Sequence, residues 1–204
     1  MFYGVIRLTN KLGTNNDVFK HIQNSASKGQ FGGRLKGCWY SEIGSLNKIL
    51  LLHYYESHQD IINDRIKFLE GGNPLGLVDL VTDIEFSSYK AFPGVEEMPF
   101  GDFGPFYEVR RYDIKADGLP PTLQAWDKVR TARSKLSPLM TVMYALEGSV
   151  PHFVHIWPYR TLEERSTIRA RAVEEGVWPP PGGPPYLLKM HSDIYLPAPF
   201  SPAR

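Results

Sequence analysis

A single cysteine, Cys38, stands in 204 residues, so the chain can form no internal disulfide and no cysteine-built zinc cluster. That economy suits a reducing compartment, and a cytoplasmic location is expected. Net charge is also lacking. Twenty-three Lys and Arg face 22 Asp and Glu, which leaves no field to draw in a phosphate backbone, so nucleic acid is not expected as a partner. No apolar run approaches the roughly 18 residues of a membrane span. The opening MFYGVIRLTNKLG has neither the basic start nor the apolar stretch of a secretory signal. GxSxG, a Walker loop, GxGxxG entering a helix and HExxH are all missing. GGRLKG at 32–37 is rich in glycine, but it leads into a strand pattern and reads as a turn, not as a phosphate cradle. The six histidines, His21, His53, His58, His152, His155 and His191, show no ligand spacing, so no metal and no other cofactor is expected.

What is present is an ordinary globular balance, 42% hydrophobic and 22% charged, with an internal register. Residue i matches residue i plus 104: Phe2/Phe106, Tyr3/Tyr107, Val5/Val109, Arg7/Arg111, Tyr40/Tyr144, Gly44/Gly148, Ser45/Ser149, Tyr55/Tyr159, Arg65/Arg169 and Pro93/Pro197. Each half reads as strand, helix, two strands about a Gly-Ser turn, helix, strand. In the first half these are 2–8, 16–26, 35–43, 47–55, 59–69 and 77–92. In the second they are 106–114, 122–136, 139–146, 152–157, 162–174 and 186–196. Ser57 and Thr161, each with an acid three residues on, are capping-box starts for the two later helices, and Pro158 is expected to close the strand before the second of them.

That order is the split βαβ, or ferredoxin-like, unit. One such sheet leaves an apolar face bare, so two units are expected to pair their antiparallel sheets. The expected class is α+β, with two ferredoxin-like domains over 1–98 and 105–204 joined by PFGDFGPF at 99–106.

Alternation puts Glu108, Arg110 and Tyr112 on one face of the strand that opens the second half, and Tyr107, Val109 and Arg111 on the other. The set fits a polar ligand or an ion pair on an exposed sheet. The next motif is HFVHIWPY, which aligns Phe153, His155, Trp157 and Tyr159. His155 titrates nearest neutrality, making it a candidate acid or base, although a lone histidine in such an aromatic row is more often a structural residue of the core. Arg165 and Arg169, four apart on a helix, read first as a solvated helix face, and otherwise as holders of an anion or a carboxylate of the sheet.

FYEVRRYDIKADG at 106–118, the helix carrying Trp126, HFVHIWPYRTLEERSTIR at 152–169, Trp178 and LPAPFSP at 196–202 together resemble the NIPSNAP family. The first half is similar to a diverged copy: it keeps the strand from Tyr3 to Arg7, Gly44-Ser45 and Arg65, and lacks the Glu/Arg pair, the HxW element and the proline-rich ending. The resemblance implies a dimeric α+β barrel, formed here within one chain as a pseudo-dimer, with further homodimerisation left open. It also implies a site at Tyr107, Glu108, Arg110, Tyr112, His155, Trp157, Tyr159, Arg165 and Arg169. Of these, His155, Glu108 and Arg110 are the candidate catalytic residues, and the rest, with Trp126, are candidate ligand contacts. Two functions stay open. One is binding of a small apolar or aromatic ligand, with or without cofactor-independent oxygenase or isomerase chemistry. The other is a non-catalytic structural or interaction module. Haem bound through His155 is a third, weaker reading.

Overall fold

The computed structural model describes residues 1–148 and 151–204. Ser149, half of the second expected Gly-Ser turn, lies outside them. The first set of elements is β1 (Phe2–Asn10), α1 (Asn15–Ser27), β2 (Arg34–Ile43), β3 (Lys48–Tyr55), α2 (His58–Glu70) and β4 (Val81–Ala91). The same order then returns as β5 (Phe106–Ile114), α3 (Leu119–Ser134), β6 (Thr141–Ala145), β7 (His152–Tyr159), α4 (Leu162–Glu174) and β8 (Leu187–Pro197).

The strands form one closed antiparallel barrel in the order β1-β3-β2-β8-β5-β7-β6-β4. Each half alone would be a four-stranded ferredoxin-like sheet with two open edges. The seams β2·β8 and β4·β6 join those edges, so no ladder is left to pair with a foreign strand. The expected α+β architecture of two paired ferredoxin-like sheets is thus the observed one.

Strand registers repeat as the sequence register predicts: Phe2 faces Tyr55 as Phe106 faces Tyr159, and Tyr40 faces Ile49 as Tyr144 faces Phe153. The last strand departs from it. Tyr89 stands opposite Tyr3 and Tyr195 opposite Tyr107, two residues later than a shift of 104 predicts. The cause is a longer connection in the second half, which holds the prolines at 179–181, so the Pro93/Pro197 match is not a structural one.

Local chemistry explains most boundaries. Ser57 Oγ accepts from the Asp60 N–H, and Thr161 Oγ1 from the Glu164 N–H at 2.9 Å, so both helices start where the capping pattern predicts. The Glu164 carboxylate reaches back to the Arg160 N–H at 2.5 Å, one residue before the cap. α3 begins at Leu119, three residues earlier than expected, because Pro120 and Pro121 fall in the first turn, where no N–H is required. Pro158 does not end β7. It stays in the ladder opposite Tyr107, and the strand runs on to Tyr159. β4 is shorter than the expected 77–92, because Leu80 and Val81 both donate to the Leu77 carbonyl in a turn.

Closure gives each strand one face toward the lumen and one toward the helices. Tyr107 and Trp39 meet in the lumen, with ring centroids 5.2 Å apart. On the helix side of the first half, Val18 and Ile22 of α1 pack with Ile6, Leu8, Ile49 and Leu51, with Phe19, Phe31 and Phe68 against them. In the second half the same face carries charge.

Candidate functional site

Glu108, Arg110 and Tyr112 of β5 stand directly beside Trp157, His155 and Phe153 of β7. Both expected rows therefore share one face and meet α3 and α4. Glu108 is fully buried. Its Oε1 accepts from Arg110 Nη1 at 2.6 Å, Arg165 Nη2 at 2.5 Å and Ser192 Oγ at 2.7 Å, while Arg169 Nη1 lies 3.9 Å from Oε2. One carboxylate of the sheet thus ties down a guanidinium from its own strand and two from α4. Burial pushes the Glu108 carboxyl up, but the Arg165 hydrogen bond, the Arg110 charge and Ser192 outweigh it and hold the group at about 2.

His155 is also fully buried, and its Nδ1 accepts from Trp157 Nε1 at 2.6 Å. An indole N–H can only donate, so Nδ1 is the bare nitrogen and the proton of the neutral ring sits on Nε2. Nε2 has no hydrogen-bond partner among the described residues, and the ring lies among Tyr112, Trp126, Phe153 and Trp178 at centroid distances of 5.0 to 5.8 Å. Burial, and next the Arg110 charge, push its pKa well below the usual 6.5. With Nδ1 occupied and Nε2 enclosed, this imidazole offers no nitrogen to a haem iron. Its chemistry is that of a neutral donor, which sequence spacing alone does not distinguish from that of a base.

Beside this cluster lies a cavity of about 280 Å³. Arg110 and Arg169 form its charged wall, and Tyr112, Trp126, Phe153 and Trp178 its aromatic one. The 179–184 loop, Leu187 and Met190 make the rim.

The expected residues therefore separate into groups. Arg110, Tyr112, Trp126 and Arg169 line the cavity, Glu108 and Arg165 form the ion cluster behind it, and His155 and Trp157 lie beneath the aromatic wall. Tyr107 is on the opposite face, in the lumen, so it cannot contact a ligand here. Tyr159 is turned toward α3, where its hydroxyl accepts from Arg133 Nη2 at 3.4 Å.

Arg133 was not anticipated as a site residue. Its guanidinium is 4.1 Å from the Trp157 ring centroid and donates to Ser137 Oγ at 2.9 Å. The spacing of Trp126, Val129 and Arg133 on one face of α3 was the available signal, since a guanidinium on an otherwise buried stripe is anomalous. Ser192, whose hydroxyl lies next to Glu108 across the β5·β8 ladder, carried no signal at all.

The equivalent place in the first half is filled differently. Gly4, Ile6, Leu8 and Leu51 stand where Glu108, Arg110, Tyr112 and His155 stand. Tyr55 leans over Gly4 so closely that an added Cβ there would sit 2.9 Å from its ring, and its hydroxyl donates to Asp64 at 2.9 Å.

These motifs have their match among known proteins. The NIPSNAP family model fits residues 3–73 and 107–202, most of both halves. The chain belongs to the NIPSNAP family. A NipSnap homolog of Dictyostelium discoideum is 28% identical over 153 residues, covering 72% of this chain and 66% of that protein, so the chain spans just under two thirds of that relative. Among solved structures, an anthrone oxidase-like protein superposes with a TM-score of 0.68 at 11% identity over 97% of this chain and 91% of its own. A candidate monooxygenase from Lactobacillus acidophilus NCFM does so at 0.67 and 9% over 96% and 92%. At such identities the likeness is one of fold, which hosts unrelated functions. Within this NIPSNAP chain no helix is long and apolar enough to cross a membrane among the described residues.

Proposed function

We propose that this NIPSNAP protein binds a small organic anion with an aromatic or otherwise apolar body in the cavity of its second half, as a binding protein or as an enzyme that needs no cofactor. One observation carries the reading. Arg110 and Arg169 present guanidinium groups to a cavity whose remaining walls are aromatic rings, prolines and aliphatic side chains. An apolar pocket with a few fixed polar anchors is the usual form of a small-molecule site. Chemically, the wall stabilises negative charge that is present in, or develops on, a bound carbonyl, phenol or carboxylate. The neutral Nε2–H of His155 beneath the rings is a donor in reserve rather than a base.

The same reading treats 1–98 and 105–204 as two copies of one unit, pseudo-dimeric within the chain, of which only the second keeps the site. A cytoplasmic setting is supported by one free, buried cysteine.

A structural role is the second reading. It is favoured by the Glu108 cluster, which joins β5, β8 and α4 whether or not a ligand is bound. Thermal shift separates the two. With the bound state stabilised by mass action, 2-naphthoate at millimolar concentration should raise the melting temperature by a few degrees, whereas its neutral methyl ester should have a smaller effect. Arg169→Gln should abolish the difference. Equal, negligible shifts for acid and ester would leave only the structural role.

A further inference from the structure

The site holds far more positive charge than its single carboxylate neutralises. Arg110, Arg165 and Arg169 all have Glu108 as their only ion-pair partner among the described residues. Arg133, 2% exposed, has no carboxylate within 4 Å among them. Four guanidiniums therefore gather about one carboxylate, with Arg133 buried, Arg110 12% exposed and Arg165 and Arg169 25% and 30% exposed. Such a surplus is costly, and removing it in favour of apolar side chains is commonly neutral or stabilising. This fold does not require it either. The first half reaches the same topology with Gly4, Ile6 and Ile61 in the places of Glu108, Arg110 and Arg165, keeping only Arg65 in the place of Arg169.

We infer that the natural ligand is an amphiphilic dianion, with a head bearing two negative charges against Arg110 and Arg169 and an apolar body against Trp126 and Trp178. The inference rests on the anion-binding reading above and adds its charge. A monoanion would leave at least two of the surplus charges uncompensated, whereas a phosphate monoester or a pair of adjacent carboxylates offers oxygens enough for two guanidinium forks. The body end is set by the cavity, whose outer lip continues in Val173 and Met190, both exposed apolar side chains.

Calorimetric titration of the intact protein with 2-naphthoate, naphthalene-2,3-dicarboxylate and 2-naphthyl phosphate at one ionic strength tests this. At least one dianion should bind about tenfold or more tightly than 2-naphthoate. The advantage should shrink in Arg169→Gln and in Arg133→Met, each first verified as folded by its melting curve. A phosphate preference would assign a phosphoryl head, and a dicarboxylate preference paired carboxylates. Dianions binding no more tightly than 2-naphthoate would overturn the charge assignment while leaving anion binding intact. No binding of any probe by the folded protein would overturn both.

Discussion

Glu108→Ala lowers the melting temperature by on the order of 10 °C. The substitution strips from three guanidiniums the one carboxylate they reach among the described residues, and breaking a buried ion pair on one side costs roughly 3–5 kcal/mol. In a domain of this size each kcal/mol is worth about 2–4 °C. Arg165→Ala should cost much less, because that guanidinium is partly exposed and water can replace its partner. The same carboxylate sets an acid limit. Glu108 titrates at about 2 in the folded protein against the usual 4.5, so as pH falls the unfolded chain takes up the proton first. Stability from this group is complete above about 4.5 and drains away between there and about 2, amounting to roughly 3 kcal/mol. Chemical denaturation across that window should show the loss in the wild type and lack this part of it in Glu108→Ala. A melting curve for the alanine variant that overlays the wild type would mean the cluster is solvated rather than buried.

Trp157→Ala should cost a comparable amount, about 3–5 kcal/mol, because the indole fills the space between Arg133, Trp126 and Trp178. Trp157→Phe keeps most of that bulk and removes only the N–H. Its loss of stability should be smaller, and its signature lies elsewhere. In the wild type the indole fixes His155 as the Nε2–H tautomer. Nitrogen-15 NMR of the imidazole should therefore show one protonated and one bare nitrogen, with the ring still neutral at pH 6.5, since burial holds the pKa well below that. In Trp157→Phe that constraint is lost, and a fraction of the Nδ1–H tautomer should appear. A His155 that titrates near 6.5 in the wild type would remove the neutral-donor assignment.

Much of the architecture was legible in the sequence because it rests on local rules. Alternation placed Glu108, Arg110 and Tyr112 on one face and Tyr107 on the other, and the structure keeps that division. The caps at Ser57 and Thr161 fixed two helix starts. The repeat of 104 predicted strand registers through β7, then failed at β8, where the proline-rich loop at 178–186, itself legible as a loop, absorbs two extra residues. Proline misled twice. Pro158 sits inside a strand, opposite Tyr107, and Pro120 and Pro121 begin a helix. The site was half visible. Arg165 and Arg169 stood out as a pair at helical spacing, but their partner, Glu108, is distant in sequence, and only the fold joins them. Ser192 enters through tertiary packing alone, and Arg133 shows only as a guanidinium on an otherwise buried helix stripe. Tyr107 is placed in the site by family resemblance and excluded from it by the direction of its side chain.

The claim that the second half holds an anion site while the first does not is tested most directly by a crystal structure of the protein grown with 2-naphthoate. The account predicts density for one ligand, its carboxylate at hydrogen-bond distance from Arg110 and Arg169 and its rings against Trp126 and Trp178, with nothing bound beside Asp64 in the first half. A ligand seated in the first half, or in the second with its carboxylate turned away from both arginines, would contradict it.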